Sequence, residues 1–213
     1  CLKPKSTFIF KKRGKKTPAK NCPLRFFMNN IIIINENIDV KPFLEEMDLS
    51  DWDWVSKQED VGGDKNPYGF LPLVWAQVKD GEDPHYVDRT RKTPLFDKYP
   101  LVQKFWMDNN ISEVARAAFF RLTPGGVVNK HIDRGSYYQD KDRYHLSLQG
   151  EYLYRVGDEE MIVKPGTFFW FNNKLPHSAK NVGDVDRYTL VWDVPYSSVN
   201  PHHAVFTRGA NIL

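Results

Sequence analysis

The chain has few cysteines and no long apolar segment. Its two cysteines, Cys1 and Cys22, lie near the start of 213 residues, which excludes a cysteine-based zinc site and a disulfide within the main body. The longest purely apolar runs, such as Ile31–Ile34, have four residues, whereas a membrane-spanning helix needs roughly 20. A secretory signal pattern is not visible either. We therefore expect a soluble protein of the reducing cytoplasm that has no membrane partner.

Acidic residues are missing from residues 1–35, which contain nine lysines and arginines. The rest of the chain has 21 basic and 27 acidic residues, so its net charge is −6 although the whole chain is +3. The basic balance therefore comes from the extension alone, and we expect no nucleic-acid partner. We interpret residues 1–30 as a basic N-terminal extension, which is a solvated tail, a mispredicted start with Met28 as initiator, or an interaction arm.

The composition is typical of a folded domain, with 41% hydrophobic, 27% charged and 14% aromatic residues. Neither a repeat nor a linker divides the chain, so residues 31–213 are predicted to form one domain. Ile31–Ile34 predicts a strand, and residues 41–60 predict a short helix followed by a loop. Residues 98–109 predict a helix with one apolar face, formed by Leu101, Val102, Phe105 and Trp106.

From residue 114 the hydrophobic pattern has a period of two. Short runs rich in aromatic and β-branched residues are separated by turns, a pattern typical of an antiparallel sandwich or jelly roll. These predicted strands are Ala117–Leu122, Arg143–Leu148, Glu151–Val156, Glu160–Val163, Thr167–Phe171 and Arg187–Val194.

A histidine and a carboxylate stand two residues apart at His131 and Asp133. In an extended segment, residues at this spacing point to the same face, so both side chains can bind one ion. His177 follows after several predicted strands and supplies a third ligand. Two imidazoles and one carboxylate leave coordination positions open, which suits non-haem Fe(II), although catalytic zinc uses the same ligands.

Arg187 follows His177 by ten residues and begins a predicted strand. Its planar guanidinium can bind a carboxylate with two hydrogen bonds. An iron-bound co-substrate with a distal carboxylate fits this pattern, so Arg187 favours iron over zinc.

At these positions the sequence resembles the Fe(II)- and 2-oxoglutarate-dependent dioxygenases, in particular the branch of aspartyl/asparaginyl β-hydroxylases and free-proline hydroxylases. The resemblance covers roughly residues 115–195. Arg143–Leu148 is similar to the Arg-x-His-Leu-x-Leu strand of that branch, and Pro165–Asn173 is similar to its Gly-x-x-x-x-Phe-Asp strand. The resemblance implies that iron is bound by His131, Asp133 and His177, that 2-oxoglutarate is held by Arg187, and that the co-substrate site is lined by Arg143 and His145.

The resemblance also implies a fold and an activity. The fold would be mostly β with flanking α, a cupin-like double-stranded β-helix (jelly roll) with its core at about 114–195 and N-terminal helices outside it. The activity would be O₂-dependent hydroxylation of a free amino acid or similar small molecule, with release of succinate and CO₂. Membrane-anchored members of the branch lack the carboxylate ligand, so Asp133 favours the small-molecule side. The alternatives are a peptidyl aspartyl/asparaginyl β-hydroxylase and a non-catalytic jelly-roll binding protein.

Several other polar side chains are candidates for substrate contact. Arg134, Tyr137 and Tyr138 belong to a polar, aromatic segment that we expect to form a loop at the cavity mouth. Arg121 precedes a Pro-Gly-Gly turn and could bind a substrate carboxylate. The remaining histidines have no partner pattern and are expected at the surface; they are His85, His202 and His203.

Overall fold

A computed structural model of the chain describes residues 29–47 and 68–196. In these ranges the strands are β1 (Ile31–Asn35), β2 (Tyr68–Ala76), β3 (Thr90–Lys92), β4 (Arg116–Leu122), β5 (Val127–His131), β6 (Lys141–Gln149), β7 (Tyr152–Val156), β8 (Glu159–Val163), β9 (Phe168–Phe171), β10 (His177–Asn181) and β11 (Arg187–Pro195). The helices are α1 (Lys41–Glu46) and α2 (Pro100–Asp108), with 3₁₀ turns at Pro84–Tyr86, Phe96–Lys98 and Ser136–Tyr138. None of the helices in the described part of the chain is long and apolar enough to span a membrane.

The strands form two antiparallel sheets that pack face to face. The major sheet has the order β1-β9-β6-β11-β4-β2-β3, and the minor sheet has the order β5-β10-β7-β8. Phe169 and Phe171 of the major sheet pack against Tyr152, Tyr154 and Val156 of the minor sheet. The predicted fold, a mostly β jelly roll with flanking helices, is confirmed.

Both α-helices cover the outer face of the major sheet. Phe105 of α2 lies 5.5 Å from Phe168 and 5.9 Å from Trp192, measured between ring centroids. The predicted helix over residues 98–109 is confirmed as α2, and three of its four predicted apolar residues are buried. Because side chains alternate along a strand, outward Trp192 places its neighbours Val191 and Asp193 on the inner face of β11.

Three strands of the major sheet precede residue 114, where the predicted core begins. The pattern predicts β1, but β2 contains Gly69 and Pro72, which weaken a strand prediction. The pairing of β2 with β4 shifts register between Pro72 and Val74, so the proline lies at an irregularity. Residues 1–28 of the predicted extension (residues 1–30) and residues 48–60, which contain the predicted loop after α1, lie outside the described residues.

Candidate metal centre

The register of the minor sheet brings two distant histidines together. His131 ends β5 and His177 begins β10, and the two residues are paired across these strands. Their ring centroids lie 4.3 Å apart. His177 is buried, whereas His131 is exposed at the edge of the centre.

Asp133 completes the group of predicted ligands. Its Oδ1 lies 3.9 Å from Nε2 of His131 and 3.9 Å from Nε2 of His177. One ligand atom from each of the three residues lies within 4.8 Å of the others, so together they could hold a metal ion. Three protein ligands would leave further coordination positions of such an ion for other ligands.

Backbone carbonyl groups orient both imidazoles. Nδ1 of His131 lies 2.7 Å from the Asn129 oxygen, and Nδ1 of His177 lies 2.9 Å from the Leu175 oxygen. Because a carbonyl only accepts, each Nδ1 donates, and each Nε2 is left with a lone pair directed at the centre. Burial lowers the pKa of His177 to about 4, so this imidazole is neutral at pH 7, the form that binds metals.

An inner cavity lies beside the two histidines, which form part of its lining. Arg187 and His145 line this cavity, together with the apolar side chains of Phe120, Tyr154, Phe171 and Val191. The Arg187 guanidinium lies over the Tyr152 ring, 4.0 Å from its centroid. The structure therefore places two of the three predicted co-substrate residues, Arg187 and His145, in the same cavity as His131 and His177.

The inner faces of β6 and β11 hold buried polar atoms that have no hydrogen-bond partner among the described residues. These atoms are Nε of Arg187, Nδ1 of His145, Oγ of Ser147 and Oγ1 of Thr189. Burial, reinforced by the positive charges of Arg187 and Arg143, holds the pKa of His145 well below its usual value. Buried polar groups normally have partners. Of these residues, Arg187 and His145 line the cavity, and their unpaired nitrogens suit a small anionic ligand there.

Arg143 lines the inner cavity, but its guanidinium is engaged by two carboxylates. Nη1 lies 2.9 Å from Asp133 Oδ2, while Nε and Nη2 donate to the two Asp193 oxygens at 2.7 and 2.9 Å. Asp193 was not among the residues predicted from the sequence. The sequence feature that could have indicated it is an acidic residue within an apolar strand. It lies six residues after Arg187 and therefore on the same face of that strand.

A wider groove of about 680 Å³ opens in front of the predicted ligands. Arg134 and Tyr138 line it, as expected for a loop at the cavity mouth. His85 is exposed, as predicted, but it also lines this groove, and its ring centroid lies 5.9 Å from that of Tyr138. His202 and His203 lie outside the described residues.

The structure does not support a substrate contact for Tyr137 or Arg121. Tyr137 is fully buried, and its hydroxyl donates to Asp193 Oδ2 at 3.1 Å. Arg121 lies next to Asp186, with 3.5 Å between Nε and Oδ2. It points to the opposite face of β4 from the cavity residue Phe120, because adjacent side chains on a strand alternate. The orientation of these two side chains could not be deduced from the loop and turn composition on which the predictions rested.

Gly135 allows two loops to meet at the groove. It adopts a φ of +113°, and a Cβ at this position would overlap the carbonyl oxygen of His85. Arg116 fixes the segment that contains His85, since its Nη2 donates to the carbonyl oxygens of Pro84 and Val87, each at 2.7 Å. The wall formed by His85 and Tyr138 therefore depends on the absence of a side chain at Gly135.

We expect Gly135→Ala to lower the free energy of unfolding by about 2–4 kcal/mol, because a positive φ and a steric overlap are both imposed. Gly125→Ala is the matched control: its φ is +73°, but its Cβ would meet open space among the described residues. This control should lose only about 1 kcal/mol. Urea denaturation followed by tryptophan fluorescence measures both, and equal losses would contradict the steric role of His85.

Comparison with protein families identifies the wider relationship. Residues 57–196 match the family described as aspartyl/asparaginyl beta-hydroxylase. The chain belongs to the aspartyl/asparaginyl β-hydroxylase family. The match includes every predicted ligand and co-substrate residue, and it confirms the resemblance seen in the sequence. No curated protein matches the chain.

Several solved structures are similar to part of the chain of this hydroxylase-family member. The TT1209 protein of Thermus thermophilus is 26% identical, with a TM-score of 0.33, over 38% of this chain and 71% of that one. A predicted oxalate decarboxylase of Thermotoga maritima is 22% identical, with a TM-score of 0.34, over 43% and 73%. A protein of Klebsiella pneumoniae with a double-stranded β-helix domain is 16% identical, with a TM-score of 0.33, over 39% and 66%.

Proposed function

We propose that the protein is an Fe(II)- and 2-oxoglutarate-dependent dioxygenase that hydroxylates a C–H bond and releases succinate and CO₂. The observation that supports this most strongly is the position of Arg187, which lines the same inner cavity as His131 and His177. A metal-ligand group and a buried cation in one cavity together suit a ligand that chelates iron at one end and has a carboxylate at the other.

Each residue of the site has a separate task in this proposal. His131, Asp133 and His177 would hold Fe(II), which together with 2-oxoglutarate supplies the O₂-dependent oxidising chemistry when bound. Arg187 would pair with the distal carboxylate of 2-oxoglutarate, and His145 would donate or accept a hydrogen bond next to it. The cavity wall contributes by excluding water, since apolar side chains surround these polar groups; they include Phe120, Tyr154, Phe171 and Val191.

We propose a free amino acid or similar small molecule as the substrate. The residue pattern with Asp133 supports this choice, and Arg134 and Tyr138 lie at the groove where such a molecule would approach. The groove volume of about 680 Å³, within the roughly 300–1,000 Å³ of small-molecule sites, also supports this choice. The alternative substrate is an aspartyl or asparaginyl residue of a peptide. The cytoplasmic location stays a prediction.

The test is anaerobic reconstitution with Fe(II) and 2-oxoglutarate, followed by admission of O₂ and measurement of succinate. A panel of free amino acids and of aspartate- or asparagine-containing peptides is supplied, and His131→Ala is the control. If one class of substrate stimulates succinate formation by the wild type but not by the variant, the result supports the proposal and identifies the substrate class. If iron-loaded, folded protein neither binds nor turns over 2-oxoglutarate, the non-catalytic binding protein becomes the better interpretation.

A further inference from the structure

Asp193 is a buried acidic residue that lines neither the inner cavity nor the groove. It is 1% exposed and lies on the inner face of β11, directly opposite Arg143 of β6. Both carboxylate oxygens have partners: Oδ1 accepts from Arg143 Nε, and Oδ2 accepts from Arg143 Nη2 and the Tyr137 hydroxyl. A buried carboxylate with three donors is held in one orientation.

Arg143 extends this fixed group to the metal ligands. Two nitrogens of its guanidinium donate to Asp193, and the third, Nη1, forms an ion pair with Asp133 Oδ2 at 2.9 Å without the alignment of a hydrogen bond. The Tyr138 ring lies beside the guanidinium, with 5.0 Å from Cζ to the ring centroid. Because the guanidinium is planar, fixing it at Asp193 also fixes the direction in which Nη1 points.

Asp133 needs such a constraint more than the two histidines do. It lies beyond the end of β5, in the loop that leads to Gly135, whereas His131 and His177 are each oriented by a backbone carbonyl. With Oδ2 next to Arg143, Oδ1 is the oxygen that faces the histidine Nε2 atoms, at 3.9 Å from each.

We propose that Asp193 is a positioning residue for the metal centre. It anchors Arg143, and Arg143 directs Asp133 so that a single carboxylate oxygen faces the ion. Asp193 itself touches neither metal nor co-substrate. This inference rests on the proposed function, because it assumes that the three predicted ligands bind a metal.

The test uses Co(II) as the probe, with affinity measured from its visible absorption on titration into the full-length apoprotein. Asp193→Asn keeps the side-chain shape but removes the charge that holds Arg143. The released guanidinium would then compete with the metal ion for Asp133. We expect about 10- to 100-fold weaker binding, the range found for residues that orient metal ligands. Asp186→Asn is the control, since its carboxylate contacts Arg121 on the opposite face of the sheet, and its Co(II) affinity should not change.

A double-mutant cycle separates positioning from other effects. In an Arg143→Gln background, Asp193→Asn should change Co(II) affinity less than about three-fold, because the residue through which it acts is gone. A long-range charge effect would persist in that background, and its persistence would overturn the inference. So would an Asp193→Asn protein that melts at a lower temperature yet binds Co(II) as tightly as the wild type.

A further variant covers the case in which Asp193→Asn does not fold. Tyr137→Phe removes one hydrogen bond to Asp193 and preserves every charge, so we expect a loss of Co(II) affinity of about five-fold, corresponding to one hydrogen bond. An unchanged affinity in this variant would then count against the inference. If the wild-type protein itself binds no Co(II), the proposed function fails instead, and the two failures are therefore distinguishable.

Discussion

Replacement of His177 by alanine is expected to weaken metal binding by more than about 100-fold, beyond the range found for residues that only orient ligands. His177 is the buried member of the group, and its Nε2 lies near Asp133 Oδ1 while Nδ1 is fixed by the Leu175 carbonyl. Removing it leaves one histidine and one carboxylate in place of the three protein ligands of a two-histidine, one-carboxylate site. Co(II) titration measures the affinity, and succinate formation should fall to background.

His85→Ala is the control for this prediction. His85 lies in the groove close to the centre but is not one of the residues that could hold the ion. Its replacement should leave Co(II) affinity unchanged. Circular dichroism must show that His177→Ala is folded, since the ring also packs 4.9 Å from Phe171. A folded His177→Ala protein with wild-type affinity would contradict the metal centre.

Replacement of Arg187 by methionine is expected to raise the Kd for 2-oxoglutarate at least about 30-fold and to leave Co(II) affinity nearly unchanged. Methionine retains much of the apolar stem but provides no donor, and losing one partner of a buried charge pair costs about 2–5 kcal/mol. Arg187 is a buried cation of the inner cavity, and its Nε has no hydrogen-bond partner among the described residues. Binding is measured by calorimetry on Co(II)-loaded protein without O₂.

Arg155→Met provides the matched comparison, because Arg155 is exposed and pairs with Glu160 on the surface of the minor sheet. That variant should bind 2-oxoglutarate like the wild type. A second ligand distinguishes a carboxylate contact from general damage: a monocarboxylic 2-oxo acid lacks the distal group, so Arg187→Met should bind it as the wild type does. Equal losses for both ligands would argue against the assigned contact.

The alternation of apolar residues along the strands and the spacing of the candidate ligands are local properties of the sequence. Alternation predicts six of the observed strands, and an apolar face predicts α2. The candidate metal ligands could be predicted for a similar reason. Few residue types bind iron, and His131 and Asp133 are two residues apart, on the same face of an extended segment. Strands that depart from alternation were not predicted: β2 contains a proline and a glycine, and β10 begins with the ligand His177.

The sequence by itself therefore determined the jelly-roll class, the three candidate ligands and the candidate carboxylate partner Arg187. Only the tertiary structure decided which side chains meet. It buried Tyr137 against Asp193 instead of exposing it at the groove, turned Arg121 to the outer face, and joined Asp193 through Arg143 to Asp133. The physical reason is that alternation specifies faces relative to one another along a strand, whereas register and loop packing decide which distant residues become neighbours.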